Sequence, residues 1–240
     1  NTLAFAGNAI LSRWPIGRVI NADLPELRDK FSSSEKRLGK KRALCAELHV
    51  GDRAIAVAAC HLDSNASSKQ RAQQLASVLD ALEVLGLPSL IGGDLNTTTY
   101  DLSSKVALFA DLLHKLFVMG FAGTVNNYLT PDRRYETAIF ELLLARGYTL
   151  DGWNDRAAGS MVYDFSTPYA RDKVRKKVGA LLLRLLLRML RPWNGVVPAR
   201  LDWFGARGLQ PLAAYTVQPV RDASGSPASD HAAIVCDVAR

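Results

Sequence analysis

Cysteine is scarce. The chain of 240 residues holds three, Cys45, Cys60 and Cys236, each inside an apolar run and none at metal-site spacing from another. An odd, scattered set argues against a disulfide framework and a thiolate metal cage, and favours buried thiols in a reducing compartment. The expected location is the cytoplasm or the periphery of a membrane, not the exterior. Also missing is an uninterrupted apolar run of the ~20 residues a membrane span needs, because arginines break the leucine-rich stretch near residue 185. There is no internal repeat and no low-complexity tract. No dense interleaving of aromatic and basic residues offers a platform for stacked bases, which argues mildly against a dedicated single-strand nuclease. Methionine is absent from the start, Asn1-Thr2-Leu3. The chain therefore reads as a processed protein or a fragment, and the lack of a signal peptide carries no weight.

What is present is ordinary globular material: 48% hydrophobic and 22% charged residues, enough for one large domain with a sizeable core. The net charge of +7 favours polyanionic partners, whether nucleic acid, lipid headgroups or phosphorylated metabolites. No sequence feature sets an oligomeric state.

Gly7–Arg13 reads as a strand ended by Trp14-Pro15. Residues 21–42, with three consecutive serines and the basic run Lys36–Arg42, read as a surface loop. Two apolar runs, Ala43–Val50 and Arg53–His61, flank Gly51-Asp52 and predict a β-hairpin. Ser67–Leu85 carries Leu75, Val78, Leu79, Leu82 and Leu85 at helical spacing, with Ser67 or Ser68 as N-cap. Pro88 resets the chain into a further strand. A helix between two strands is a parallel crossover, so the ends near His61 and Asp94 belong on one sheet edge. Val106–Met119 and Tyr135–Ala145 read as helices, with 120–134 as a loop. Met161–Phe165, Leu201–Phe204, Ala213–Val220 and Ala232–Val238 read as extended, with a turn at Ser224–Pro227.

The most informative stretch is Leu90–Thr99, where an apolar run stops at Gly92-Gly93 and is followed by Asp94, Leu95 and Asn96. Alternation puts Asp94 and Asn96 on one side of the chain. Such a pair either caps local backbone in a turn or holds a water beside an anion. Three further features sit where apolar strands start or stop: His61-Leu62, Arg200–Phe204 and Ser229-Asp230-His231. Hydrolysis at phosphorus needs a base for water, donors for the phosphoryl oxygens and a cationic clamp. Asp94 suits the base, Asn96 a donor, Asp230 a metal ligand, and His231 a phosphate donor whose ring Asp202 holds.

These motifs, in this order together with Gly-Asn-Ala-Ile-Leu-Ser-Arg at 7–13, resemble the endonuclease/exonuclease/phosphatase superfamily, of deoxyribonuclease- and sphingomyelinase-like type. The resemblance implies an α/β four-layer sandwich: two packed mixed β-sheets flanked by helices. It spans 1–240 as a single domain with a helical insert at about 100–195. It implies Mg²⁺-dependent hydrolysis of phosphate esters, with Mn²⁺ as the alternative ion. Asp94 resembles the water-activating aspartate and Asn96 its orienting partner beside the metal. His61 and His231 resemble the phosphate-contacting histidines, Asp202 the partner of the second, and Asp230 a metal-side carboxylate. The pattern departs at the start. The family's metal-binding glutamate lies upstream of the 7–13 strand, and no acidic residue precedes Gly7 here. Glu26, Glu35 and Glu47 do not match it. An N-terminally incomplete chain with an impaired metal site is the expectation.

In the insert, a single helix over Arg171–Arg191 would align Lys173, Lys177, Arg184, Arg188 and Arg191 on one face, with leucines filling the remainder. Two readings follow: a helix lying in an anionic membrane surface, or one docked on the domain with its arginines in water. Three functions remain open. The first is a phosphodiesterase or phosphatase acting on a lipid or small phosphorylated substrate. The second is a DNA or RNA nuclease, and the third a non-catalytic binding domain with a degenerate metal site.

Overall fold

The computed structural model of the chain describes residues 7–27, 39–64, 66–97, 110, 114, 118, 120–133, 135–219, 221, 223 and 228–239. Its centre is a mixed five-stranded sheet in the order β1(Ile16–Asp23), β2(Arg42–Val50), β3(Arg53–His61), β4(Ser89–Asp94) and β7(Asp202–Arg207). Only β3 and β4 run parallel, joined by helix α1(Ser68–Leu85), and the other neighbours are antiparallel. The hairpin turns on Gly51, whose φ of +65° is open to glycine at no steric cost.

Small residues on one face of β3, Ala56, Ala58 and Cys60, let α1 settle close to the sheet. Leu75, Val78, Leu79 and Leu82 of the helix are fully buried against this layer. Ser67 caps α1 in a reciprocal box with Gln70, and Gly86 ends it in the left-handed conformation. Helix α3(Thr137–Ala145) closes the same side through Ile139, Phe140 and Leu143, with Phe140 edge-on to Trp203 at 4.7 Å. A fully buried Arg71–Glu136 ion pair ties the start of α1 to the start of α3.

Beyond the central sheet lie two two-stranded ladders, β5(Met161–Asp164) with β6(Val196–Ala199) and β8(Pro211–Val217) with β9(Ala233–Val238). The class is α/β, a mixed sheet with further strands and helices. Among the described residues these two ladders are separate two-stranded sheets.

Several local expectations change. Residues 7–12 form no strand. The first strand starts after Pro15, where pairing with β2 begins, and runs to Asp23, so the loop expected over 21–42 is shorter. Residues 28–38 of that loop, most of the 106–119 helix and the 224–227 turn lie outside the described residues. The loop expected over 120–134 is mostly helix, α2(Gly120–Leu129), followed by a 3-10 turn at Pro131–Arg133. The single helix over 171–191 is two, α4(Pro168–Val178) and α5(Ala180–Met189), divided at Gly179 with φ +85°. A left-handed residue ends one helix and redirects the next, so one helical wheel does not apply across it. Strand β6 contains Pro198, which a two-stranded ladder tolerates because its outer edge pairs with no strand among the described residues.

Candidate active site

Strand register assembles the site. His61 on β3 stands opposite Asp94 on β4, and Asp94 stands opposite Asp202 on β7. Three polar residues thus lie abreast where three strands end. The glycines before Asp94 allow this. A Cβ on Gly93, at φ +138°, would sit 2.1 Å from the Cys60 carbonyl oxygen, and one on Gly92 would strike the Phe204 ring.

Asp94 is clamped by the residue two positions on. Asn96, in a left-handed conformation that asparagine accepts, donates its backbone N–H to Asp94 Oδ1 at 2.7 Å. Its side-chain amide donates to Asp94 Oδ2 and to the Leu62 carbonyl, both at 3.0 Å. Two acceptors fix the amide's orientation, and both its hydrogens are spent. Asn96 therefore keeps only its amide oxygen for a further partner, in place of the donor expected of it. Nε2 of the half-exposed His61 lies 3.6 Å from Asp94 Oδ2.

His231 arrives from the segment before β9. It forms a bridge with Met161 of β5, and its Nδ1 donates to Asp202 Oδ2 at 2.7 Å. The bond leaves Nε2–H as the remaining donor. Hydrogen bonding to Asp202 raises the His231 pKa to about 9 against the opposing effect of burial. Burial, and then the like charge of Asp202, raise Asp94 to about 6. At neutral pH His231 is therefore an imidazolium. Asp230 is exposed and bonds to none of these side chains, though its charge helps raise His231.

Two positioning residues were not legible from the sequence. The buried Ser160 Oγ accepts the backbone N–H of both Leu201 and Asp202 at 3.0 Å, while its carbonyl accepts from Ala232 at 2.7 Å. One serine thus ties the Asp202 strand to the His231 segment. Thr97 Oγ1 donates to the Arg200 carbonyl at 2.6 Å and accepts from Trp203 Nε1 at 3.0 Å, joining the Asp94 loop to β7. A Gly-Ser pair ahead of a short strand was the only signal for the first, and the second followed Asn96 directly.

A family model described as Endonuclease/Exonuclease/phosphatase family matches residues 3–231. The chain belongs to this family. Solved structures share its fold. An endonuclease/exonuclease/phosphatase from Beutenbergia cavernae is 18% identical, with a TM-score of 0.50 over 95% of this chain and 46% of that one. D. rerio TDP2, complexed with single strand DNA product, is 14% identical, with a TM-score of 0.52 over 93% of this chain and 68% of that one. A beta toxin from Staphylococcus aureus is 15% identical, with a TM-score of 0.50 over 94% and 65%. At these identities the likeness is one of fold. The chain spans roughly half to two thirds of the length of these solved chains. No curated protein matches the sequence.

Members of the Endonuclease/Exonuclease/phosphatase family are hydrolytic enzymes acting on phosphate esters, generally with a divalent metal. Among the described residues no group of three or more His, Cys, Asp or Glu side chains could hold a metal ion. Asn96 Oδ1 and the carboxylate of the exposed Asp230 are oxygen atoms of the kind a hard ion takes. They do not make a preformed cage.

Proposed function

We propose that this site hydrolyses a phosphate ester. The observation that carries the reading is the hydrogen-bonded His231–Asp202 pair beside an Asp94 clamped at both oxygens. Asp94, held still by Asn96, takes the proton of a water whose oxygen bonds to phosphorus. The ester oxygen leaves and takes a proton from solvent. His231, kept protonated by Asp202, donates from Nε2 to a phosphoryl oxygen as charge develops there. His61 lies beside Asp94 as a second phosphate contact. Mg²⁺, or Mn²⁺, is the proposed ion, with Asn96 and Asp230 as its protein donors. When bound, such an ion supplies charge neutralisation at the phosphoryl group.

Hydrolysis of a generic phosphodiester, bis-p-nitrophenyl phosphate, tests the reading. Asp94→Asn is expected to lower the rate by roughly 10²–10⁴, the contribution of a positioned base, and chelation to abolish it. Activity that survives both changes would show the assignment to be wrong. A readout without turnover accompanies it: inorganic phosphate is expected to shift the His231 ring resonances, and not those of His49. Lipid, small phosphorylated and nucleic acid esters then separate the substrate classes. A second reading, a binding domain without catalysis, draws on the lack of a metal cage among the described residues. It predicts the phosphate-induced shift without any hydrolysis.

A further inference from the structure

The segment Pro168–Arg191 holds eight lysines and arginines and one acidic residue, Asp172. Its surplus of seven equals the net charge of the entire chain, so the remaining residues balance. Helix α4 settles part of this internally, because Arg175 and Lys176 both reach Asp172, at 3.1 and 2.6 Å. On α5 the exposed Arg184 and Arg188, like Arg191 just beyond it, pair with no carboxylate among the described residues.

Among the described leucines of α5 and Leu190 at its end, two groups differ in exposure. Leu186, Leu187 and Leu190 join a small core around Phe165, Val197 and Trp193. Leu181 and Leu185 lie outside it, 84% and 40% exposed. At 3.6 residues per turn Leu181, Arg184, Leu185 and Arg188 share about a third of the helix circumference. Beside them a cleft of about 370 Å³ is lined by Phe165, Arg171, Leu187 and Arg191. Arg171 spends Nε on the Phe165 carbonyl at 2.8 Å, which leaves its terminal nitrogens for an anion.

Exposed leucines flanked by unpaired arginines suit a helix lying in a lipid interface. The leucines enter the acyl boundary while the guanidinium groups stay among the phosphates. Nucleic acid would use the arginines but leave the leucines without a role. We propose that α5, with the Arg171–Arg191 cleft at its side, docks on an anionic phospholipid membrane, the cleft seating a headgroup phosphate. This surface stands apart from the hydrolytic reading, because docking is read without turnover.

Sedimentation of the full chain with vesicles of phosphatidylcholine alone, or mixed with phosphatidylserine, at low and high salt tests the proposal. Binding is expected to the anionic vesicles and to weaken with salt. Each basic group near such a surface is worth roughly fivefold in partitioning, so R184Q/R188Q/R191Q is expected to lower the partition coefficient roughly 10²-fold. Leu181→Ser with Leu185→Ser is expected to lower it about tenfold or more at either salt, because the lost contribution is apolar. All five positions are exposed, and circular dichroism checks that the variants fold. No preference for anionic vesicles overturns the proposal. So does an arginine variant that binds like the parent, or a leucine variant that binds unchanged. Duplex DNA binding without vesicle binding would assign the arginines to nucleic acid instead.

Discussion

At the sheet edge, charge is answered within hydrogen-bond distance. Asp202 receives His231, and Asp94 receives two bonds from Asn96. On α5 and just beyond it, Arg184, Arg188 and Arg191 stand in solvent while Leu181 and Leu185 alongside them are exposed. The first region is organised so that each charged group has one orientation, which is what chemistry at a fixed atom requires. The second spends nothing on orientation and keeps its charge available, which is what adhesion to a broad anionic surface requires. A single value of net charge conceals this division. The +7 of the chain says nothing about the sheet edge, where Asp94 and Asp202 lie abreast.

The division can be sharpened by stability measurements. The largest effect is expected at the buried Arg71–Glu136 pair. Glu136→Ala strands a guanidinium with no exposure and should cost about 3–5 kcal/mol, read from urea unfolding. A loss under 1 kcal/mol would mean that water enters to serve Arg71.

A smaller effect concerns the titration of His231, followed by NMR in chelator. The ring is expected to titrate near pH 9, and Asp202→Asn to bring it back toward its ordinary value. Ser160→Ala, which frees the Asp202 N–H, should lower it part of the way. The sign for stability follows. A folded pKa raised from an unfolded value near 6.5 stabilises the fold fully below about that pH. The contribution is lost as pH rises through about 9. Unchanged titration in Asp202→Asn would remove that aspartate from the role. The smallest effect is expected on α5, where Arg184→Gln and Arg188→Gln should each change unfolding free energy by less than about 0.5 kcal/mol. A larger loss would show these arginines to be part of the packing.

Much of this arrangement was legible because of where apolar runs stop. His61, Asp94 and Asp202 each sit at a strand terminus, and one parallel crossover with one antiparallel neighbour brings the three together. The α1 start was readable to within one residue, as Ser67 or Ser68, and the structure takes Ser67, whose box with Gln70 is local. Other features depend on contacts distant in sequence, which a periodic pattern does not carry. Ser160 matters because residues some forty positions on come to its hydroxyl. The break at Gly179 was masked by the basic residues on either side, which keep helical spacing across it. Residues 7–13 have strand composition, yet they find no ladder partner among the described residues; β-structure is made by pairing, and composition alone does not supply a neighbour.

Cys60 gives this edge a clock. Its thiol belongs to the core that α1 covers, 3% exposed, with Sγ 3.8 Å from the Gly92 carbonyl, and burial pushes its pKa well up. An alkylating reagent can reach it only when β3 and β4 part or α1 lifts. The rate at which Cys60 is modified therefore counts the openings of the same strand pair that aligns His61 with Asp94. A phosphate that binds between those strand ends would slow that count, so the site's occupancy becomes readable at a sulfur atom that never meets the ligand.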